Sequence, residues 1–189
     1  IRDRKRAERK AQADARAQLA SSAGTTSVML APVEPGMPPA VPAGDIDAAS
    51  IDAYLFSKGS PMAGNGAYVI MSARTWGLDP RLIVAIAGAE SNFGSQVCGS
   101  YNAWGWSCPN SPVQFTSWQD GIETIASGLR RYYIDSGRTT VSLIQQKWAP
   151  SGAANDPTGL NNHWVGNVTR FLVEMGGSPT SLASGFAQT

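Results

Sequence analysis

The sequence predicts a mainly α domain with one small irregular or β-hairpin lobe inserted into it, and three observations carry that prediction. Leu82 to Ala89 is apolar or small on every side, which marks a helix buried on most of its faces. Residues 94–117 then lose helical periodicity and hold Gly, Pro, Asn and the aromatics Tyr101, Trp104, Trp106 and Phe115. From Ser117 onward, helix-start signals and apolar residues at helical spacing return and continue to Met175.

Composition bounds the rest. The chain has 189 residues, 42% hydrophobic, with 20 Gly, 12 Pro and 6 Trp, enough for one domain of about 130–150 residues plus an extension. The formal net charge of +1 hides an asymmetry. Residues 1–16 carry seven Lys/Arg against three Asp/Glu, which leaves eight basic and eleven acidic residues for everything after them. A slightly acidic body argues against a nucleic-acid-binding surface. The longest apolar stretch, Leu82–Ala89, is far short of a membrane span. The chain opens on Ile, which suggests a fragment or a processed product, and export is not legible in it.

Residues 1–22 are polar and Ala-rich, with helical propensity but little apolar surface. They read as a solvated charged helix or as a contact helix for a larger assembly or a nearby membrane. Residues 23–44 contain Pro32, Pro35, Pro38, Pro39 and Pro42 among small residues, an extended linker. The domain is therefore expected at 45–177, with 178–189 as a C-terminal tail.

Asp45 or Asp47 can cap a first helix carrying Ile46, Ile51, Tyr54 and Leu55. Ser60 to Gly66 breaks the chain, and Ala67–Trp76 forms the next helix, stopped by Gly77. Asp79 before Pro80 starts the buried helix: a side-chain acceptor, then a residue whose missing N–H costs nothing there. Ser117 with Asp120 reads as a capping box opening a helix whose Ile122, Ile125, Leu129 and Tyr132 share a face and which ends at Gly137. Thr140–Trp148 is a short helix before Ala149-Pro150. Asn162–Met175 is the last, with Val165, Val168, Phe171, Leu172 and Met175 apolar.

One carboxylate, Glu90, stands at the end of the buried helix. Ile83 and Ile86, seven and four residues earlier, share its face. An acid projecting from an apolar stripe is costly to ionise, so its pKa should rise, and a carboxylic acid held protonated can protonate a glycosidic oxygen. The plain alternative is a helix-end Glu reaching solvent.

Leu78-Asp79-Pro80, the apolar helix and Ala89-Glu90-Ser91-Asn92-Phe93-Gly94 together resemble the catalytic helix of lysozyme-like peptidoglycan-cleaving enzymes. These include lytic transglycosylases and the glucosaminidases of glycoside hydrolase family 73. The resemblance covers about residues 46–176 and implies that Glu90 is the general acid. Asn102-Ala103-Trp104-Gly105-Trp106 resembles the glucosaminidase element after the catalytic Glu, and Phe115 to Ile122 resembles that family's next one. Lys147-Trp148-Ala149-Pro150 falls where those enzymes carry a Tyr beside the acid. An indole cannot take the phenol's place as a hydroxyl donor. Stacking on sugar remains open to Trp104, Trp106, Trp118 and Trp148, whereas for Trp118 and Trp164, on helices, core packing is the plainer reading.

The resemblance further implies a bacterial peptidoglycan substrate outside the cytoplasm: in the cell wall, the periplasm, a virion or a secretion apparatus. It thereby favours a Cys98–Cys108 disulfide over two free thiols. Two Cys and the distant His163 lack metal-ligand spacing, so no metal or cofactor is expected, and His163 reads as an exposed helix-start residue. Ser91, Asn92 and Asn102 could orient the substrate's acetamido group, or could simply cap the helix and form turns.

No acid lies between Glu90 and Asp120, and Asp120 and Glu123 fit helix-start roles. Asp156, in a Gly/Asn-rich loop, is the one loose candidate for a second acid. A single-acid mechanism in which the substrate supplies the nucleophile fits better than a two-carboxylate one. Hydrolysis at a β-1,4 bond is the first expectation and a 1,6-anhydro product the second. A non-catalytic glycan-binding or structural module is the reading from another class.

Overall fold

The computed structural model describes residues 46–183. The charged segment 1–22, the linker 23–44, Asp45 and the last residues of the tail lie outside the described residues. Helices dominate what is described, and no strand occurs among the described residues.

Helix α1 (Ala48–Ser57) opens on Asp47, whose side chain accepts from the Ser50 amide at 2.8 Å. That bond holds the Asp47 carboxyl below its ordinary range. Helix α2 (Gly66–Trp76) has no cap from its own N-cap residue, Asn65. Asp52 of α1 does the work instead: its Oδ1 accepts from the Gly64 and Gly66 amides at 2.8 and 2.7 Å. Unpaired amides at a helix start need such an acceptor. Gly77, left-handed at φ 61°, ends α2 as expected.

Helix α3 (Pro80–Ser91) starts at Asp79, which accepts from the Arg81 amide at 2.9 Å. Leu82 through Ala87 are wholly shielded from solvent, so this helix is the centre of the core. It packs against α2, against α4 (Trp118–Tyr132) and most extensively against α6 (Trp164–Glu174). Burying each of Leu82, Ile83 and Ile86 contributes about 1.5–3 kcal/mol. Gly88 lets α6 approach: a Cβ there would lie 2.6 Å from Phe93 and 2.8 Å from Phe171.

Ser117 caps α4 by accepting from the Asp120 amide at 3.1 Å. The reciprocal arm is displaced, since Asp120 Oδ2 accepts from the Thr116 amide and hydroxyl rather than from Ser117. Helix α4 stops at Tyr132, short of the expected Gly137. A 3-10 turn, Ile134–Ser136, follows, and Gly137 ends that turn instead. The expected inward Tyr132 is 54% exposed and Tyr133 is the buried tyrosine, because the backbone leaves helical geometry there. Helix α5 (Val141–Trp148) is capped by Thr140. A 3-10 turn, Leu160–His163, leads into α6, so the last α-helix starts two residues later than Asn162.

The inserted lobe is irregular rather than a hairpin. Its cross-links are single bonds, such as Phe115 N to Ser100 O and Val113 N to Trp106 O, not a ladder. Left-handed backbone at Tyr101, Gly105 and Ser107 breaks any extended run. The described part of the expected tail also belongs to the core. Leu182 is fully buried, and its carbonyl accepts from the Asp79 amide at 2.9 Å, beside the start of α3.

Candidate active site

The site is built from four segments that meet at the last turn of α3. Glu90 comes from that turn, Gly105 and Trp106 from the lobe, Trp148 from the end of α5, and Trp164 from the start of α6. Each is delivered by local structure already described. The lobe's placement depends on α4, where Gly121 and Gly128 stand two turns apart on one face. A Cβ at Gly121 would meet Trp104 at 2.8 Å, and one at Gly128 would meet Trp106 at 2.8 Å. The two indoles therefore seat the lobe flat on α4.

Glu90 is partly buried, and its two oxygens have different surroundings. Oε1 accepts from the Trp148 indole N–H at 2.8 Å and from the Trp164 indole N–H at 2.7 Å. Oε2 faces Gly105, where a Cβ would stand 2.9 Å away. Burial pushes the Glu90 carboxyl above the ordinary range. The indole donors of Trp164 and Trp148 act against burial but do not cancel it. Among the described residues no cation forms an ion pair with Glu90.

Aromatic rings form the wall behind the acid. Trp148 packs edge-on to Trp106, with centroids 5.4 Å apart, and stacks with Trp164 at 6.4 Å. Tyr133 lies against Trp148 at 5.5 Å and close enough to Glu90 to feel its charge. Burial, chiefly, pushes the Tyr133 phenol up to about 12, with Arg138 opposing and Glu90 adding to the shift. The Lys147 ammonium sits over the Tyr133 ring, 4.9 Å from its centroid.

The structure brings together Glu90, Trp106 and Trp148 of the expected set. Trp104 is fully buried and donates to the Ile83 carbonyl at 2.9 Å, so neither face is open to a sugar. Ser91 is buried too: its Oγ lies 2.7 Å from the Ala103 carbonyl and accepts from the Gly94 amide, which ties the helix end to the lobe. Asn102 is sealed inside the lobe. It donates to the Trp106 and Val113 carbonyls and accepts from the Trp106 amide, leaving nothing for an acetamido group. Asn92 is the exposed left-handed cap that ends α3.

Asp156 closes its own loop at the surface. Its oxygens accept from the Leu160 and Asn161 amides at 2.9 and 2.8 Å and lie 3.3 Å from the Thr158 hydroxyl. The Asn161 amide bond leads in holding its carboxyl below the ordinary range, the state of a turn-forming carboxylate. Trp118 pairs edge-on with Tyr101 at 5.2 Å, and a Cβ on Gly94 would meet its ring at 3.0 Å. His163 is exposed at the entry to α6. Among the described residues no group of three His, Cys, Asp or Glu side chains could hold a metal ion.

Two site residues were missed in the sequence. Trp164 looked like core, and its signal is chemical: a buried indole N–H needs an acceptor, and Glu90 is the acid at the end of the buried helix. Tyr133 carried no comparable signal, because the α4 periodicity points to Tyr132. Cys98 and Cys108 are joined in a disulfide with Cα atoms 6.5 Å apart, bracketing the segment that carries Gly105 and Trp106. No family model and no curated protein matches this chain.

Proposed function

We propose that the domain is a lysozyme-like glycosidase that cleaves β-1,4 bonds of the bacterial peptidoglycan backbone, with Glu90 as general acid and then base. The observation that carries this reading is the state of Glu90: a carboxyl that burial keeps protonated to higher pH, with one oxygen held by two donors and the other directed at a glycine. Such a group can give its proton to a glycosidic oxygen as the C1–O bond breaks. The positive charge developing at C1 is then met by a group on the sugar, the 2-acetamido oxygen or the muramyl 6-hydroxyl. On the first route the Glu90 carboxylate then takes a proton from a water that bonds C1 and releases the acetamido oxygen, which gives a reducing end. On the second it takes the proton of the 6-hydroxyl as that oxygen bonds C1, which gives an anhydro ring.

Asp156 is occupied in its own loop, which supports a mechanism without a protein nucleophile. The same observation favours the second reading, a lytic transglycosylase. Hydrolysis stays first on the order of the sequence elements. The Cys98–Cys108 bridge supports an oxidising, extracytoplasmic setting. Among the described residues no helix is long and apolar enough to cross a membrane.

Mass spectrometry of peptidoglycan digested by the protein tests the reading. Released fragments with new reducing ends are expected, and anhydro ends, lighter by one water, would assign the transglycosylase route. A glycan backbone left intact would contradict both.

A further inference from the structure

We propose that Trp148 and Trp164 are a pair of positioning residues that reserve Oε1 of Glu90 as an acceptor, so that Oε2 is the oxygen that carries and delivers the proton. The argument rests on what an indole can do. A carbonyl-type oxygen has two lone pairs, and Oε1 meets two donors, at 2.8 and 2.7 Å. An indole N–H donates and never accepts. A protonated Oε1 would therefore place its own hydrogen against an N–H, with no acceptor in either ring to receive it. A tyrosine at either position could turn its hydroxyl and accept, leaving the proton free to sit on either oxygen. Two tryptophans remove that choice.

The remaining surroundings agree. Oε2 faces Gly105, where a Cβ would stand 2.9 Å away, so that residue places no side chain against it. Trp148 and Trp164 come from two different helices and stack on each other, and Trp106 supports Trp148 from the lobe side. The rings are thus held independently of Glu90, as a positioning pair requires. Tyr133, at the end of α4, is close enough to respond to Glu90, with Arg138 opposing on that phenol and the Lys147 ammonium over its ring. His163, next to Trp164 on the α6 side, is exposed. From the lobe, the Gly105 backbone lies beside Oε2. Both indole bonds favour the ionised carboxyl, whereas burial opposes it more strongly.

The inference rests on the glycosidase reading for its catalytic meaning but not for its test. Acid-minus-alkaline difference infrared spectra are recorded on the parent protein and on Glu90→Gln, Trp148→Phe and Trp164→Phe, each checked for fold by circular dichroism. The C=O stretch of protonated Glu90 is the band missing in Glu90→Gln. In the parent, two hydrogen bonds hold it at low wavenumber. Each Phe variant keeps a ring in place but removes one donor. It should move the band to higher wavenumber and make the carboxyl bind its proton roughly tenfold more tightly, from the loss of one hydrogen bond to a charged group. Trp148 is partly exposed, so its variant keeps the test open if Trp164→Phe fails to fold. In cell-wall digestion, the alkaline limb of the pH profile should move upward with the same variants. A parent that digests nothing would defeat the glycosidase reading while the infrared comparison still decides the pair. A folded Phe variant whose band and titration midpoint match the parent's would overturn the proposal.

Discussion

Gly105, at φ 64°, lies so close to Glu90 that a Cβ on it would stand 2.9 Å from Oε2. A left-handed residue and an acid from another element thus share one contact, and only glycine satisfies both demands. Gly105→Ala should cost about 1–2 kcal/mol from the backbone alone and should also push Glu90 from its place. Activity on cell walls should fall far more than thermal stability does. Equal, modest losses in both would show that Oε2 does not depend on this approach.

The pH dependence of stability follows from Glu90. Burial raises its folded-state pKa above the ordinary 4.5. Its contribution is therefore full below that value and is lost as pH rises through the folded pKa. Glu90→Gln is neutral at every pH and can still accept from both indoles. In urea titrations, its stability relative to the parent should increase from acid toward neutral pH. A difference that stays constant across that range would contradict the raised pKa.

The contact between α3 and α6 depends on Gly88. A methyl group there meets Phe93 and Phe171 at 2.6 and 2.8 Å, and both rings are packed in the core. Gly88→Ala should destabilise by about 1–3 kcal/mol through overpacking, read by chemical denaturation. Because Trp164 sits on α6, the substitution should also reduce activity. An unchanged midpoint would mean that the helices can separate without cost.

Non-reducing peptide mapping should find the Cys98 and Cys108 peptides linked. Replacing both by Ser should cost up to about 3 kcal/mol in the loop-entropy model and should loosen the segment that presents Gly105 and Trp106. Free thiols in protein purified from an oxidising compartment would contradict the bridge.

How much was legible in the sequence differs between fold and site. Asp79 and Ser117 cap the helices they announced, and Asp47 does so of the Asp45/Asp47 pair, because a cap is a local event written within four residues. Asp52 capping α2 was not legible, since it acts fourteen residues from Gly66. Glu90 was legible from its apolar face. For Ser91, Asn102 and Trp104 the sequence left a ligand role and a structural role open, and only the packed structure shows where their hydrogen bonds go: to the lobe and the helix themselves. Trp164 is core, as read, but its bond to Glu90 was not legible, because that partner lies 74 residues away.

The central claim, that Glu90 is the acid, is tested most directly by comparing Glu90→Gln with the parent in release of soluble fragments from purified cell walls. The substitution preserves shape and both indole bonds but cannot give up a proton as the carboxylic acid can. The account predicts a fall of about a hundredfold or more, the range expected when a general acid is removed, with the circular dichroism spectrum unchanged. Release at the parental rate by the folded variant would contradict it.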